Sequence, residues 1–128
     1  MIDFNNATFV KLSEVSNEVG LKLVEPMLVE GEQIFASFKA MRDQVVFTNK
    51  RVIAINVQGI TGKKQDFTSL PYSKIQAWSV ETPGSWGSSW IRDSEMDLWF
   101  SGLGKVRFEF ASNFDIKAFN KLIGGYIL

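Results

Sequence analysis

The chain has 128 residues, of which 45% are hydrophobic, and eleven Phe and four Trp supply bulky core material. This length suits one domain with a single core. Lys plus Arg and Asp plus Glu both count 14, so we expect no nucleic-acid partner, because such binders carry a basic face. Since the chain has no Cys and no His, disulfides, thiolate or imidazole catalysis and zinc sites of the Cys/His kind are excluded.

The first residues, MIDFNNATFV, lack a basic region followed by an apolar run, so they do not predict a signal peptide. No apolar stretch approaches the ~20 residues needed to span a bilayer. The expected location is the cytoplasm.

A helix is predicted near the start, over Thr8 to Val24. Its apolar residues lie three or four positions apart, Asn6 and Thr8 are candidate caps, and Pro26 ends it. The apolar stripe consists of Phe9, Leu12, Val15, Val19 and Leu23.

From residue 33 onwards the apolar period changes to two, which is typical of half-buried strands. Val45 to Val57 predicts a hairpin, because two β-branched runs flank the polar turn Thr48-Asn49-Lys50-Arg51. Further strands are predicted at residues 33–40, 65–70, 75–81, 93–101 and 105–110, separated by turns.

A three-residue loop, Gly102-Leu103-Gly104, is predicted between the last two strands. With this loop the six apolar residues of the two strands share one face, whereas a two-residue loop would split them. The predicted opposed pairs are Phe100 and Val106, Leu98 and Phe108, and Met96 and Phe110.

The chain ends in an amphipathic helix with Asn113 as its cap and Asp115 in its first turn, and Gly124-Gly125 is expected to interrupt the helix or end it early. The order is therefore one N-terminal helix, about seven short antiparallel strands and one C-terminal helix. It predicts a mainly β domain, a partly open barrel or orthogonal sandwich, whose end the last helix caps. The apolar stripe of that helix is Ile116, Phe119, Ile123 and Ile127.

Six short motifs lie between residues 28 and 82: LVEGE at 28–32, RD at 42–43, VFTNKRVI at 46–53, QGITGKK at 58–64, PYSKI at 71–75 and VET at 80–82. With them the chain resembles the bacterial pleckstrin-homology (PH)-like domain family, formerly a domain of unknown function. The resemblance implies a PH-like domain over residues 28–128, preceded by an N-terminal helical segment over residues 1–27. It also implies a small bacterial protein that forms symmetric homo-oligomers, rings among them.

In the eukaryotic relatives, basic residues between the first two strands hold phosphoinositide headgroups. The corresponding residues here are Lys39 and Arg42, and Lys63 and Lys64 lie on the following loop. These four are candidates for an anion or anionic-lipid site. The alternative is that Arg42 pairs with Asp43 or a neighbouring strand and that the lysines are solvated loop tips, the common state of surface charge.

Trp86 and Trp90 lie in a Gly/Ser-rich segment, Thr82 to Arg92, where the chain departs from the family pattern. They are candidates for a partner or subunit interface, because indole rings are enriched at such surfaces. The alternative is that one or both fold back and complete the core.

Asp93, Glu95 and Asp97 alternate along one strand. Residues on the same face of a strand lie ~7 Å apart, so we expect no metal site. The predicted register instead makes Asp97 a diagonal neighbour of Arg107 on the next strand, in a solvated charge ladder. Lys50 and Arg51 at the hairpin are candidates for contact with phosphate or an acidic partner. The alternative, which we favour, is that they only serve the turn.

No pattern predicts catalysis. Without His or Cys the usual bases and nucleophiles are missing, and the segment at 59–64 is too short for a phosphate-binding loop. We therefore expect no enzyme and no cofactor. The sequence predicts a module for protein interaction and homo-oligomeric assembly, whose partner is itself or another protein. The alternative function is peripheral binding of an anionic lipid or membrane surface through the basic loops.

Overall fold

The computed structural model describes residues 1–83, 93–111 and 113–128. They form two compact units: unit 1 holds Met1–Ile2 and Ser13–Tyr72, and unit 2 holds Asp3–Leu12 and the described part of Ser73–Leu128. The α-helices are α1 (Asn17–Val24) and α2 (Ile116–Ile127), with 3₁₀ helices at Glu25–Met27 and Tyr72–Lys74. The strands are β1 (Thr8–Val15), β2 (Ile34–Lys39), β3 (Asp43–Thr48), β4 (Arg51–Gln58), β5 (Lys64–Pro71), β6 (Ile75–Glu81), β7 (Ser94–Phe100) and β8 (Gly104–Phe110).

The N-terminal segment is a strand followed by a short helix, so the prediction of one helix over residues 8–24 is wrong in its first half. A bulge interrupts β1: Lys11 has a φ of 57°, and the register with β8 shifts between Phe9 and Leu12. Because of the extra residue, Phe9 and Leu12 are both buried at a spacing of three. That spacing imitates a helical period. The described residues thus contain eight strands, one more than predicted.

Unit 1 is built on antiparallel hairpins in the order β5-β4-β3-β2, and Ser13–Val15 of β1 pairs with β2. The predicted hairpin is confirmed, since β3 and β4 pair around Asn49-Lys50. α1 lies against this sheet through Gly20, where an added Cβ would overlap Ser37 Oγ. The buried core of the unit includes Val24, Phe38, Val45, Val46, Phe47, Val52, Ile53, Ile55 and Leu70.

A polar network joins the turn of this hairpin to the loop before β2. Glu32 accepts two hydrogen bonds from Arg51, from Nε to Oε2 and from Nη2 to Oε1, each 2.9 Å long, and one from the Thr48 hydroxyl at 2.7 Å. Asn49 Nδ2 donates to the Gly31 carbonyl oxygen at 3.0 Å. These residues belong to the LVEGE and VFTNKRVI motifs, so both motifs build the scaffold of unit 1.

In unit 2 the start of β1 runs parallel to β8, and β8, β7 and β6 pair antiparallel. The three-residue loop between β7 and β8 is Ser101-Gly102-Leu103, one position earlier than predicted. The predicted register is therefore wrong by two residues: Leu98 faces Val106, and Phe100 faces Gly104, whose φ of 124° suits only glycine. A shift of two preserves the alternation, so the six apolar residues still share the buried face.

α2 packs on β6 within unit 2. Its N-cap is Asp115 and not Asn113, which instead takes a φ of 72°. The helix also continues through Gly124-Gly125 to residue 127, contrary to the predicted early end. Trp78 Nε1 of β6 donates to Asn120 Oδ1 of α2 at 2.7 Å. The contact of α2 with β6 outweighs the low helix propensity of the two glycines. None of the helices in the described ranges is long and apolar enough to cross a membrane.

Candidate functional site

The four predicted basic residues lie on two neighbouring loops of unit 1. Lys39 ends β2 and Arg42 lies in the β2–β3 turn, while Lys63 lies in the β4–β5 loop and Lys64 begins β5. Arg42 links the loops, because its Nη1 donates to the Gly59 carbonyl oxygen at 3.3 Å and its own carbonyl oxygen accepts a backbone N–H from β4 at 3.1 Å. The structure therefore brings the two basic loops together.

The positive charge of these loops is not neutralised by an ion pair within the described part of the chain. All four side chains are exposed, and none of the ion pairs found there includes them. Asp43 does not pair with Arg42; its Oδ1 accepts from Asn56 Nδ2 at 2.7 Å. Burial raises the pKa of Asp43, and the hydrogen bond from Asn56 opposes that rise.

Two aliphatic side chains project from the same loops. Met41 and Ile60 have relative exposures of 98% and 102%, so the described residues cover neither of them. Gly59 and Gly62, with φ angles of 82° and 67°, allow the tight turn that carries Ile60 outward. We call this surface, residues 39–42 and 59–64, the loop tip.

Met41 and Ile60 are the functional candidates that the sequence interpretation missed. Each is a single apolar residue within a polar turn, where Gly, Asn, Asp and Ser are usual. One exposed apolar side chain is ordinary, so neither stands out alone. Arg42 links the β2–β3 and β4–β5 turns that carry these two residues, and no local pattern predicts that link.

The two hairpin cations differ from each other. Arg51 is committed to Glu32 and also donates from Nη2 to the Met27 carbonyl oxygen at 2.8 Å and from Nη1 to Ser69 Oγ at 2.9 Å. Lys50 is exposed. Arg51 is therefore a structural residue, and the turn does not present a basic pair to a partner.

Carboxylates of β7 face a cation of β8 in unit 2. Asp97 lies directly opposite Arg107 and accepts from its Nε at 2.9 Å and its Nη2 at 3.0 Å, while Glu95 Oε2 lies 3.3 Å from Arg107 Nη1. The predicted charge ladder is confirmed, with a direct pair in place of a diagonal one. Within the described ranges, no group of three or more Asp or Glu side chains is placed to hold a metal ion.

Trp86 and Trp90, the predicted interface residues, lie outside the described residues. The interface prediction for them stays a prediction.

Comparisons with known proteins agree with the motifs. The chain matches the family model described as Bacterial PH domain over residues 3–127. It is 43% identical over 97 residues to the uncharacterized protein YjqA of Bacillus subtilis (strain 168). The aligned region covers 76% of this chain and 70% of that protein.

Two solved structures are similar along nearly the whole chain. One is a DUF1696 family protein with a pleckstrin-homology domain from Shewanella loihica PV-4, with a TM-score of 0.77, 33% identity, and coverage of 94% of this chain and 100% of that chain. The other is a pleckstrin homology domain from Shewanella amazonensis SB2B, with a TM-score of 0.65, 36% identity and 91% coverage of each chain. The predicted mainly β, PH-like fold is confirmed, while the predicted boundary at residue 28 stays a prediction.

Proposed function

Because this chain belongs to the bacterial PH domain family, whose fold supports binding in general, we propose that it is a non-enzymatic module that docks on anionic membrane surfaces through the loop tip. The observation that carries this proposal is the joint exposure of Met41 and Ile60 on two loops that Arg42 connects. Assembly, which the sequence favours over lipid binding, becomes the second candidate, since the residues that motivated it lie outside the described part.

Two physical terms favour docking of the loop tip. Full burial of an aliphatic side chain of this size is worth about 1.5–3 kcal/mol, and each Lys or Arg near an anionic membrane surface contributes about 1 kcal/mol. The ordering of flexible side chains and the loss of overall freedom oppose both terms. We therefore expect reversible, salt-sensitive binding that needs the apolar and the basic residues together. The anionic cytoplasmic leaflet is the surface that this proposal requires.

Vesicle co-sedimentation tests the proposal. Wild-type protein should bind phosphatidylglycerol-containing vesicles at low salt and bind pure phosphatidylcholine vesicles weakly. The Lys63→Glu/Lys64→Glu variant should lose the salt-sensitive part of binding, because it reverses two charges of the loop tip. Lys117→Glu/Lys121→Glu is the matched control, since it makes the same charge change on exposed residues of α2.

The apolar part is tested by Met41→Gln and Ile60→Gln, each of which should weaken binding about tenfold. Val29→Gln is the control, because Val29 is another exposed aliphatic residue of unit 1 outside the loop tip. Absence of wild-type binding to anionic vesicles at low salt would overturn the proposal. Equal losses in the α2 charge control would show that net charge, and not the loop tip, is responsible.

Homo-oligomeric assembly is the second candidate, supported by the edge strands. β5 is the edge strand of the sheet in unit 1, and β6 is the edge strand of the sheet in unit 2. Each of them pairs with one other strand in the part that the structure describes. An open edge offers backbone groups for pairing with another chain. Light scattering over a range of concentrations tests this: we expect an oligomer that Trp86→Ser/Trp90→Ser weakens and that Trp99→Ser, at an exposed Trp of β7, leaves intact. A monomer at every concentration would reject assembly.

A further inference from the structure

The four methionines of the chain occupy very different environments. Met41 has a relative exposure of 98% and Met1 of 79%, whereas Met96 is fully buried. Met27 is partly buried and packs against the core of unit 1. Met41 is therefore the methionine most open to a dissolved reagent, and it is the one that lies in the loop tip.

Exposure decides the reactivity of a thioether, because an oxidant must reach the sulfur atom. Hydrogen peroxide transfers one oxygen atom to Sδ: the peroxide O–O bond breaks, an S–O bond forms, the sulfur loses two electrons and the peroxide leaves as water. The product, methionine sulfoxide, is polar, and reductases convert it back to methionine. Oxidation thus replaces an apolar side chain by a polar one without changing its charge or its backbone.

We propose that Met41 is a peroxide-sensitive switch, whose oxidation to the sulfoxide weakens docking of the loop tip on anionic membranes. This inference rests on the proposed function. The loop tip has two apolar side chains, Met41 and Ile60, and only the first contains an oxidisable sulfur. Oxidation therefore removes one apolar anchor and leaves the cations in place, so the electrostatic attraction of Lys39, Arg42, Lys63 and Lys64 remains while apolar insertion decreases.

The reactivity is tested without any lipid. Wild-type protein is treated with hydrogen peroxide, and the oxygen gained by each methionine-containing peptide is followed by mass spectrometry. Met41 should gain oxygen first and Met96 last, in the order of their exposure. Oxidation of Met41 no faster than that of buried Met96 would overturn the inference at this step.

The consequence is tested with phosphatidylglycerol-containing vesicles. Oxidised wild type should bind about tenfold more weakly than untreated wild type, and methionine sulfoxide reductase should restore binding. Met41→Leu, which stays apolar and has no sulfur, should bind the vesicles with the same affinity after peroxide as before it. Met41→Gln, which imitates the polarity of the sulfoxide, should bind weakly and show no further loss with peroxide.

The outcomes separate this inference from the function on which it rests. If untreated wild type binds the vesicles and complete oxidation of Met41 leaves that binding unchanged, the switch is overturned and the membrane function stands. If peroxide weakens Met41→Leu as much as wild type, the loss arises elsewhere and the switch is again overturned. If untreated wild type does not bind, the proposed function and the switch fail together.

Discussion

Glu32 and Arg51 form a two-point ion pair in unit 1, with Nε–Oε2 and Nη2–Oε1 distances of 2.9 Å. The Glu32 side chain has no exposed surface and that of Arg51 retains 19%. The pair connects the loop before β2 to the first residue of β4, so it couples two of the family motifs. Those motifs support the hairpins that carry the loop tip, and they do not form the loop tip itself.

Replacement of Arg51 by Ala should destabilise the protein, because the buried carboxylate of Glu32 loses its cation. Removal of one partner of a buried ion pair costs about 3–5 kcal/mol, and since Arg51 is partly exposed we expect a value near the lower end. Urea denaturation measures the change. Lys50→Ala, at an exposed neighbour, is the control and should stay within about 0.5 kcal/mol of wild type. A similar small effect for Arg51→Ala would contradict its structural role.

Glu32 should also make stability depend on pH. Burial raises the pKa of Glu32. Hydrogen bonds from Arg51, Thr48 and the Val29 amide, together with the charge of Arg51, lower it by more than burial raises it, so the folded pKa lies below the ordinary 4.5. Because the folded pKa is lower than the unfolded one, the stabilising contribution is present above pH 4.5 and is lost as the pH falls through the folded pKa.

Glu32→Gln should therefore be less stable than wild type at neutral pH, and the difference should shrink as the pH falls below 4.5. Urea titrations of both proteins at a series of pH values measure this. Glu30→Gln, at an exposed glutamate of the same loop, is the control. A difference between Glu32→Gln and wild type that stays constant at every pH would show that the carboxyl charge is not involved.

Gly20→Ala should destabilise the contact of α1 with its sheet. An added Cβ would overlap Ser37 Oγ and lie 2.9 Å from Val46 Cγ2. Alanine gains about 1 kcal/mol in helix propensity, while overpacking costs about 1–3 kcal/mol, so we expect a net loss of about 1 kcal/mol. In α2, Gly125→Ala meets no atom within 4 Å and should instead stabilise by about 0.5–1 kcal/mol. Thermal unfolding compares the two, and a gain for Gly20→Ala would contradict the close packing.

A row of three glutamates on β6, β7 and β8 should weaken unit 2 at neutral pH. Glu81 lies opposite Glu95, and Glu95 lies opposite Glu109. Burial raises the pKa of Glu95, Arg107 lowers it, and the hydrogen bond with Glu81 and the charges of Glu81 and Glu109 raise it, so the result lies above 4.5. Because the folded pKa of Glu95 is raised, its protonation contributes its full stabilisation of the folded state below pH 4.5. This contribution is lost as the pH rises through the folded pKa.

Glu81→Gln should therefore raise stability by about 0.5 kcal/mol at neutral pH, because it removes a like-charge cross-strand pair. The gain should be smaller in acid, where Glu95 is already protonated. Thermal unfolding at both pH values measures it, with Glu18→Gln, an exposed glutamate of α1, as the control. Destabilisation by Glu81→Gln at neutral pH would show that this glutamate makes favourable contacts that outweigh the repulsion.

Most strands could be predicted because alternation and turn chemistry act over a few residues. β6 begins and ends where predicted, and the hairpin around Asn49-Lys50 was visible from its flanking β-branched runs. β1 could not be predicted, since its bulge places Phe9 and Leu12 at a helical spacing. The register of β7 with β8 differed by two residues because Gly102 and Gly104 allow more than one loop that keeps the same alternation.

The candidate site was predictable in part. The basic residues Lys39, Arg42, Lys63 and Lys64 were found from the family resemblance, but the role of Met41 and Ile60 was not. The choice between the alternative roles of Arg42 and Arg51 also needed the three-dimensional structure, because each side chain binds a partner from a distant loop. Arg42 binds Gly59 and Arg51 binds Glu32.

The amino-acid sequence was sufficient for the family, for seven of the eight described strands and for the buried face of the β7–β8 hairpin, since these depend on neighbouring residues and on a period of two. The folded chain was needed to turn residues 8–15 into a strand, to pair Arg51 with Glu32 and to link the loops of Met41 and Ile60 through Arg42. Those outcomes depend on which distant segments pair, and the free energy of the packed structure as a whole selects that pairing.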